Sequence, residues 1–258
     1  MKKIGFIITG RMKSTRLKEK LMLKIQDREM IAWMIDRAKL VFAPEDIVIA
    51  TSTNPQDDVL REIAEREGVS IFKGDEEDVV ERLYQAAREH QFDFFINITA
   101  DCPLFGFDYI QPIVDLADKT DADLVTSLEL PHGIFTYGIK TAAMERVLTI
   151  KKTNQTEVWG DYFYNNPDLF KVEKLPVTDS EKRETYRLTL DYQEDFDFFE
   201  AVYTHFGKET YAKSSEEIIH FLDENPSVAA INESCRNRFQ QRWEEQRVSN
   251  IEKKEASE

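Results

Sequence analysis

The sequence holds only two cysteines, Cys102 and Cys235, in 258 residues, which excludes a disulfide framework. Glycine and proline are also sparse, at nine and eight, and no fixed-period repeat is present, so collagen-like, low-complexity and solenoid architectures are excluded. No apolar run approaches the roughly 18 residues that a membrane span needs. The opening Met1-Lys2-Lys3 resembles a signal peptide only in its lysines, because the apolar run after it is short and no small-residue cleavage site follows. The cytoplasm is the simplest address. Excess positive charge is missing as well: the net charge is -15, which argues against nucleic acid as a partner.

That charge is unevenly spread. Residues 1–24 hold eight cations (Lys2, Lys3, Arg11, Lys13, Arg16, Lys18, Lys20 and Lys24) against the single acid Glu19, so this stretch carries +7 and the rest of the chain -22. A basic island in an acidic protein points to a local anion site. With 41% hydrophobic residues, the chain has enough apolar material for one full core with an appended element.

β-Branched apolar runs at Ile4 to Thr9, Ile47 to Thr51, Phe94 to Thr99 and Leu124 to Ser127 read as buried strands. Between them Ile31, Met34, Ile35 and Ala38 follow helical spacing, as do Val59, Leu60, Ile63 and Ala64, and then Val79, Val80, Leu83 and Ala87. The alternation predicts an α/β fold with a mostly parallel sheet covered by helices on both faces. Residues 131–187 are irregular and are expected to form an inserted hairpin or dimerisation and acceptor element; their exposed-looking aromatics Phe135, Tyr137, Trp159, Tyr162 and Phe163 suggest a homodimer contact. A domain over 1–235 would then be followed by a charged helix or tail over 236–258, whose apolar positions include Phe239, Trp243 and Val248.

In such sheets ligands bind beyond the carboxyl ends of the strands. The loop from Gly10 to Lys20 places Arg11, Lys13, Arg16, Lys18 and Lys20 there, beside backbone N–H groups that are also free to meet phosphates. It lacks both the Walker and the dinucleotide glycine patterns. Asp101, the first acid beyond the strand ending at Thr99, suits either a hard cation carrying phosphates or a helix N-cap. Asp191 closes the alternating strand Arg187-Leu188-Thr189-Leu190 and is open to the same two readings, with Glu194 three residues on as its capping-box partner. His132 is either an acceptor contact or a solvated loop residue. Cys102 has no basic neighbour and reads as a buried structural thiol, and Phe94, Phe95, Phe196, Phe198 and Phe199 read as core.

The segment Arg11-Met12-Lys13-Ser14-Thr15-Arg16-Leu17 with Lys20 resembles the opening signature of the cytidylyltransferases that activate sugar acids. These include the CMP-Kdo and CMP-acylneuraminate synthetases and the spore-coat polysaccharide enzymes. The likeness continues through Ala50 to Asn54, Lys73-Gly74-Asp75 with Asp78-Val79, Thr99 to Leu104, Pro131-His132-Gly133 and Arg187 to Asp191 with Glu194-Asp195, about the first 200 residues. It implies a Rossmann-like nucleotidyltransferase that takes CTP and a small anionic sugar acceptor. It implies Gly10, Arg11, Ser14, Arg16, Lys20, Ser52, Asn54, Lys73 and Thr99 around the nucleotide, with Arg11 and Lys20 catalytic. It further implies Asp101 and Asp191 on Mg2+, and His132 with Arg187 at the acceptor. The family's usual Pro-Gly-Lys is Lys18-Glu19-Lys20 here, an arginine common two residues before the Thr99 position is Asn97, and an arginine before Gly74 is Lys73. Two other readings share the basic loop: a uridylyl- or guanylyltransferase acting on a sugar phosphate, whose first loop is usually richer in glycine, and a non-catalytic nucleotide-binding regulatory protein.

Overall fold

The computed structural model describes residues 2–241; Trp243, Val248 and the rest of the expected tail beyond 241 lie outside the described residues. A parallel core forms from β1 (Ile4–Thr9), β4 (Ile47–Ser52), β5 (Ser70–Gly74) and β6 (Phe94–Thr99), with the short hairpin β2 (Lys24–Ile25) and β3 (Arg28–Glu29) set apart as its own two-stranded sheet. Three later strands, β7 (Leu124–Thr126), β8 (Tyr137–Lys140) and β9 (Val172–Lys174), complete a seven-stranded sheet in the order β5-β4-β1-β6-β8-β7-β9. The helices α1 (Met30–Ala38), α2 (Val59–Glu67), α3 (Val79–Glu89), α4 (Ile110–Thr120) and α5 (Thr141–Ile150) pack around it. They are followed by the one-turn α6 (Asp161–Tyr164), the long α7 (Gln193–Phe206), α8 (Ser215–Glu224) and α9 (Pro226–Ala229), and a helical segment over 233–241 closes the described chain.

Central β1 shows why these strands are apolar at every position. Successive side chains point to opposite faces, so Phe6 and Ile8 join one cluster with Ile31, Met34 and Ile35 of α1, Leu60 of α2 and Ile113 of α4. Ile7 joins another with Val80 and Leu83 of α3 and Met144 of α5. Burial on both faces removes the polar alternation a one-sided strand would need. A third cluster lies outside the sheet, where Trp33, Leu188, Leu190, Phe198, Phe199 and Leu222 bring α1, α7 and α8 together.

Three expectations need correction, and one strand was not anticipated. The edge strand β5 escapes the apolar-run pattern because all its residues are only half buried. The 131–187 segment supplies β8 and β9 to the main sheet, with β8 running antiparallel between β6 and β7. Trp159 and Phe163, expected as exposed, are buried in the α3–α5 cluster, while Phe135, Tyr137 and Tyr162 are half buried. Arg187 to Leu190 is not a ladder strand but an extended segment making a single bridge, at His132 and Arg187. The amide of Leu188 donates to the carbonyl of His132 (2.6 Å) and that of Leu190 to the carbonyl of Asp101 (2.7 Å), which carries the segment past the carboxyl end of β6. Gly133 makes that approach possible: its φ is +99°, and a Cβ there would lie 2.1 Å from the carbonyl oxygen of Leu188, so only glycine fits.

Candidate active site

Register puts Thr9 of β1 level with Ala50 of β4 and Thr99 of β6, so the loops after all three strands leave the sheet side by side. The first must pass close to the third, because a Cβ on Gly10 would come within 2.6 Å of that of Ala100. The two loops wall a cavity of about 270 Å³ whose lining includes Gly10, Arg11, Ser14, Arg16, Lys20, Asn97, Thr99 and Asp101. Behind the first loop stands Asp57, buried in the short turn that leads into α2, accepting from the amide of Met12 (2.7 Å) and from the hydroxyls of Thr51 and Ser52. Ser52 is thereby spent on holding the loop. Asn54 accepts from the amide of Gln56 and Lys73 pairs with Asp58, so none of these three expected nucleotide contacts reaches the cavity lining.

At one end of the cavity Asp101 and Asp191 meet on a single ammonium. Lys20 Nζ lies 2.7 Å from Asp101 Oδ2 and 2.8 Å from Asp191 Oδ1, and Arg16 Nη2 lies 2.6 Å from that same Asp191 oxygen. The other oxygen of Asp191 accepts from Arg187 Nη2 at 2.8 Å. Burial alone would pull the Lys20 ammonium down, but the two carboxylates outweigh it and hold its pKa above the ordinary value. Burial likewise pushes the Asp101 carboxyl up, and the attraction and hydrogen bond of Lys20 overcome this, leaving it well below the usual carboxylate range.

Neither acid is a helix cap. The first helical turn after Asp101 begins at Phe107, and α7 is capped by Asp195, not by the expected pairing of Asp191 with Glu194. The Asp195 carboxylate accepts from the amides of Asp191 (2.9 Å) and Tyr192 (3.0 Å), from Arg187 Nε (3.0 Å) and from Asn232 Nδ2 (2.9 Å). Glu194 faces outward to Arg238. Arg187, expected at the acceptor, is buried behind Asp191 and fixes it from the rear.

At the other end the basic loop is held by acids from the α3 side. Arg11 donates to the carbonyl of Glu76 and lies 3.4 Å from Glu77 and 3.6 Å from Glu157, while Lys13 Nζ is 2.8 Å from Glu76. Val79, Arg82, Glu157 and Trp159 complete the lining here. Asn97, where an arginine is common, donates to the carbonyl of Ile7 and the hydroxyl of Thr9. Asp57, Arg82, Glu157, Trp159 and Asn232 were not anticipated. Arg82 did leave a signal: it breaks the apolar stripe of Val79, Leu83 and Ala86, a position where a charge is costly unless used.

His132 is half buried, with its ring stacked on Phe135 and against Phe239. Burial, aided by the Arg187 charge, lowers its pKa to about 4 from the ordinary 6.5. Below 6.5 the unfolded chain takes up a proton that the native imidazole refuses, so His132 makes stability fall as pH drops from 6.5 to 4. Asp101, depressed from 3.8, adds its loss only below that window. The slope of unfolding free energy against pH between 6.5 and 4 is expected to flatten in His132→Gln; superimposable slopes in urea titrations would contradict this. Cys102 is a buried free thiol whose pKa burial pushes upward, which suits a structural part.

The family model described as Cytidylyltransferase matches residues 5–221. An uncharacterized protein of Methanocaldococcus jannaschii is 34% identical over 246 residues, 95% of this chain and 100% of that one. The spore coat polysaccharide biosynthesis protein SpsF of Bacillus subtilis is 27% identical over 241 residues, 91% of this chain and 100% of that protein. Among solved structures, a cytidylyltransferase from Leptospira borgpetersenii superposes with a TM-score of 0.82 at 27% identity, covering 89% of this chain and 97% of that one.

Proposed function

The chain belongs to the cytidylyltransferase family, and from that premise we propose that it transfers CMP from CTP to an anionic sugar, a sugar acid, and releases pyrophosphate. The observation that carries this reading is the convergence of Asp101 and Asp191 on Lys20, with Arg16 alongside, at the carboxyl ends of β1 and β6. An acceptor oxygen attacks the α-phosphorus, the bond to the bridging oxygen of the β-phosphate breaks, and pyrophosphate leaves with the electron pair; the acceptor hydroxyl gives its proton to solvent. The residues act by position and charge. Lys20 and Arg16 turn from the carboxylates to the phosphates, and the acids that hold Arg11 and Lys13 fix the first loop along the cavity.

The donor set also fits a divalent cation. Two hard carboxylate oxygens already meet at one positive centre, and the phosphates would supply further oxygens. Asp101 and Asp191 would hold magnesium, which when bound neutralises charge on the phosphates.

Ligands that bind only the native state raise stability by mass action. In thermal-shift measurements with magnesium, CTP is therefore expected to raise the Tm more than UTP, GTP or ATP at equal concentration. Equal shifts would contradict the cytidylyl reading in favour of a nucleotidyltransferase indifferent to the base. Pyrophosphate release across a panel of sugar acids and sugar phosphates then tests the acceptor class: release with sugar phosphates alone would overturn it.

A further inference from the structure

We propose that Arg82 reads the pyrimidine edge of the nucleotide, donating from its Nε–Nη2 edge to O2 and N3 of cytosine. The proposal rests on the CTP reading above and assigns its base selectivity to one side chain.

Arg82 is 2% exposed on the buried face of α3. One nitrogen is occupied: Nη1 donates to the carbonyls of Asp75 and Glu76, the latter at 3.1 Å. Nε is buried with no hydrogen-bond partner, and among the described residues Nη2 makes no hydrogen bond and no carboxylate lies within ion-pair distance. Burial and the nearby Arg11 charge lower its pKa. An unpaired buried guanidinium is costly, and clamping the turn at 75–76 uses Nη1 alone.

The free edge belongs to a residue that lines the cavity, beside Val79 and the indole of Trp159, which are apolar surfaces of the kind a flat base packs on. The phosphate-binding cations Arg16 and Lys20 sit with Asp101 and Asp191, and the Gly10–Lys20 loop joins that cluster to the α3 end. A triphosphate on the first cluster leaves the nucleoside to the second. The Nε–Nη2 edge is a two-donor fork. Cytosine presents two adjacent acceptors, O2 and N3. Uracil carries a hydrogen on N3, so the same fork meets a donor and one bond becomes a repulsion. Sites built on such a fork reject the analogue that cannot satisfy it.

The test compares CTP and UTP affinities by calorimetry on the full chain with magnesium, for wild type and for Arg82→Met and Arg82→Lys. Both variants are expected to lose roughly tenfold to a hundredfold of the CTP-over-UTP ratio, since a bidentate pair is worth about that much in discrimination. Equal losses for CTP and UTP would reduce Arg82 to a clamp and overturn the assignment while leaving the CTP reading standing. A wild type that binds both alike would remove the reading and the assignment together. Should circular dichroism show the variants unfolded, wild type alone decides: the triphosphate of 3-deazacytidine, which lacks the N3 acceptor, is expected to bind at least about tenfold more weakly than CTP, and equal binding overturns the proposal.

Discussion

Asp191→Asn is expected to lower turnover by roughly two to three orders of magnitude at saturating CTP and magnesium, and Asp101→Asn by a similar factor. The substitution keeps size and most hydrogen-bonding capacity while removing the charge that a hard cation requires. Because both carboxylates bear on one centre, marked by Lys20 at 2.7 and 2.8 Å, the double variant is expected to be little worse than the poorer single one. Independent roles would multiply the losses. Helix capping offers no rival account, since Asn caps as well as Asp and the cap of α7 is Asp195. Steady-state kinetics on variants confirmed folded decides the matter: retention of more than about a tenth of wild-type turnover contradicts the assignment.

The second large effect falls on stability. Asp195 is fully buried and Arg187 nearly so, with two contacts between them at 3.0 and 3.1 Å. Asp195→Ala removes one partner of a buried pair and leaves the guanidinium with Asp191 alone; it also strips the acceptor from the amides of Asp191 and Tyr192 and from Asn232. Breaking such a pair costs about 3–5 kcal/mol. Against a typical stability of roughly 5–15 kcal/mol, the urea midpoint should drop steeply. Lys213→Ala, at a surface pair with Glu217, should cost no more than about 1 kcal/mol. A loss below about 1 kcal/mol for Asp195→Ala would show that the network is not what holds Asp191 in place.

The sequence alone made the parallel core and one half of the site legible, and local chemistry explains why. Strands buried on both faces announce themselves as unbroken β-branched runs, as β1 and β6 do, and the loops that follow them carry Arg16, Lys20 and Asp101. Asp191 was visible as the acid closing an apolar alternation, although the segment before it is held by Gly133 and by carbonyls of His132 and Asp101 rather than by a ladder. Half-buried β5 gave no periodic signal. Arg187 was visible as a charge but not as a buried one, because its burial depends on Asp195 and on Asn232, 45 residues downstream. Arg82, Glu157 and Trp159 come together only through the packing of α3 against α5 and the chain after it, contacts far apart in sequence that periodicity cannot report.

The most direct measurement is a phosphorus NMR time course of the full chain with CTP, magnesium and a panel of sugar acids. The account predicts that the triphosphate resonances decay only when a competent acceptor is present, with pyrophosphate and a CMP-linked product appearing in equal amounts, and that Asp191→Asn abolishes the decay on the same timescale. Triphosphate that persists with every acid while UTP or GTP is consumed with a sugar phosphate, or decay that Asp191→Asn leaves unchanged, would contradict it.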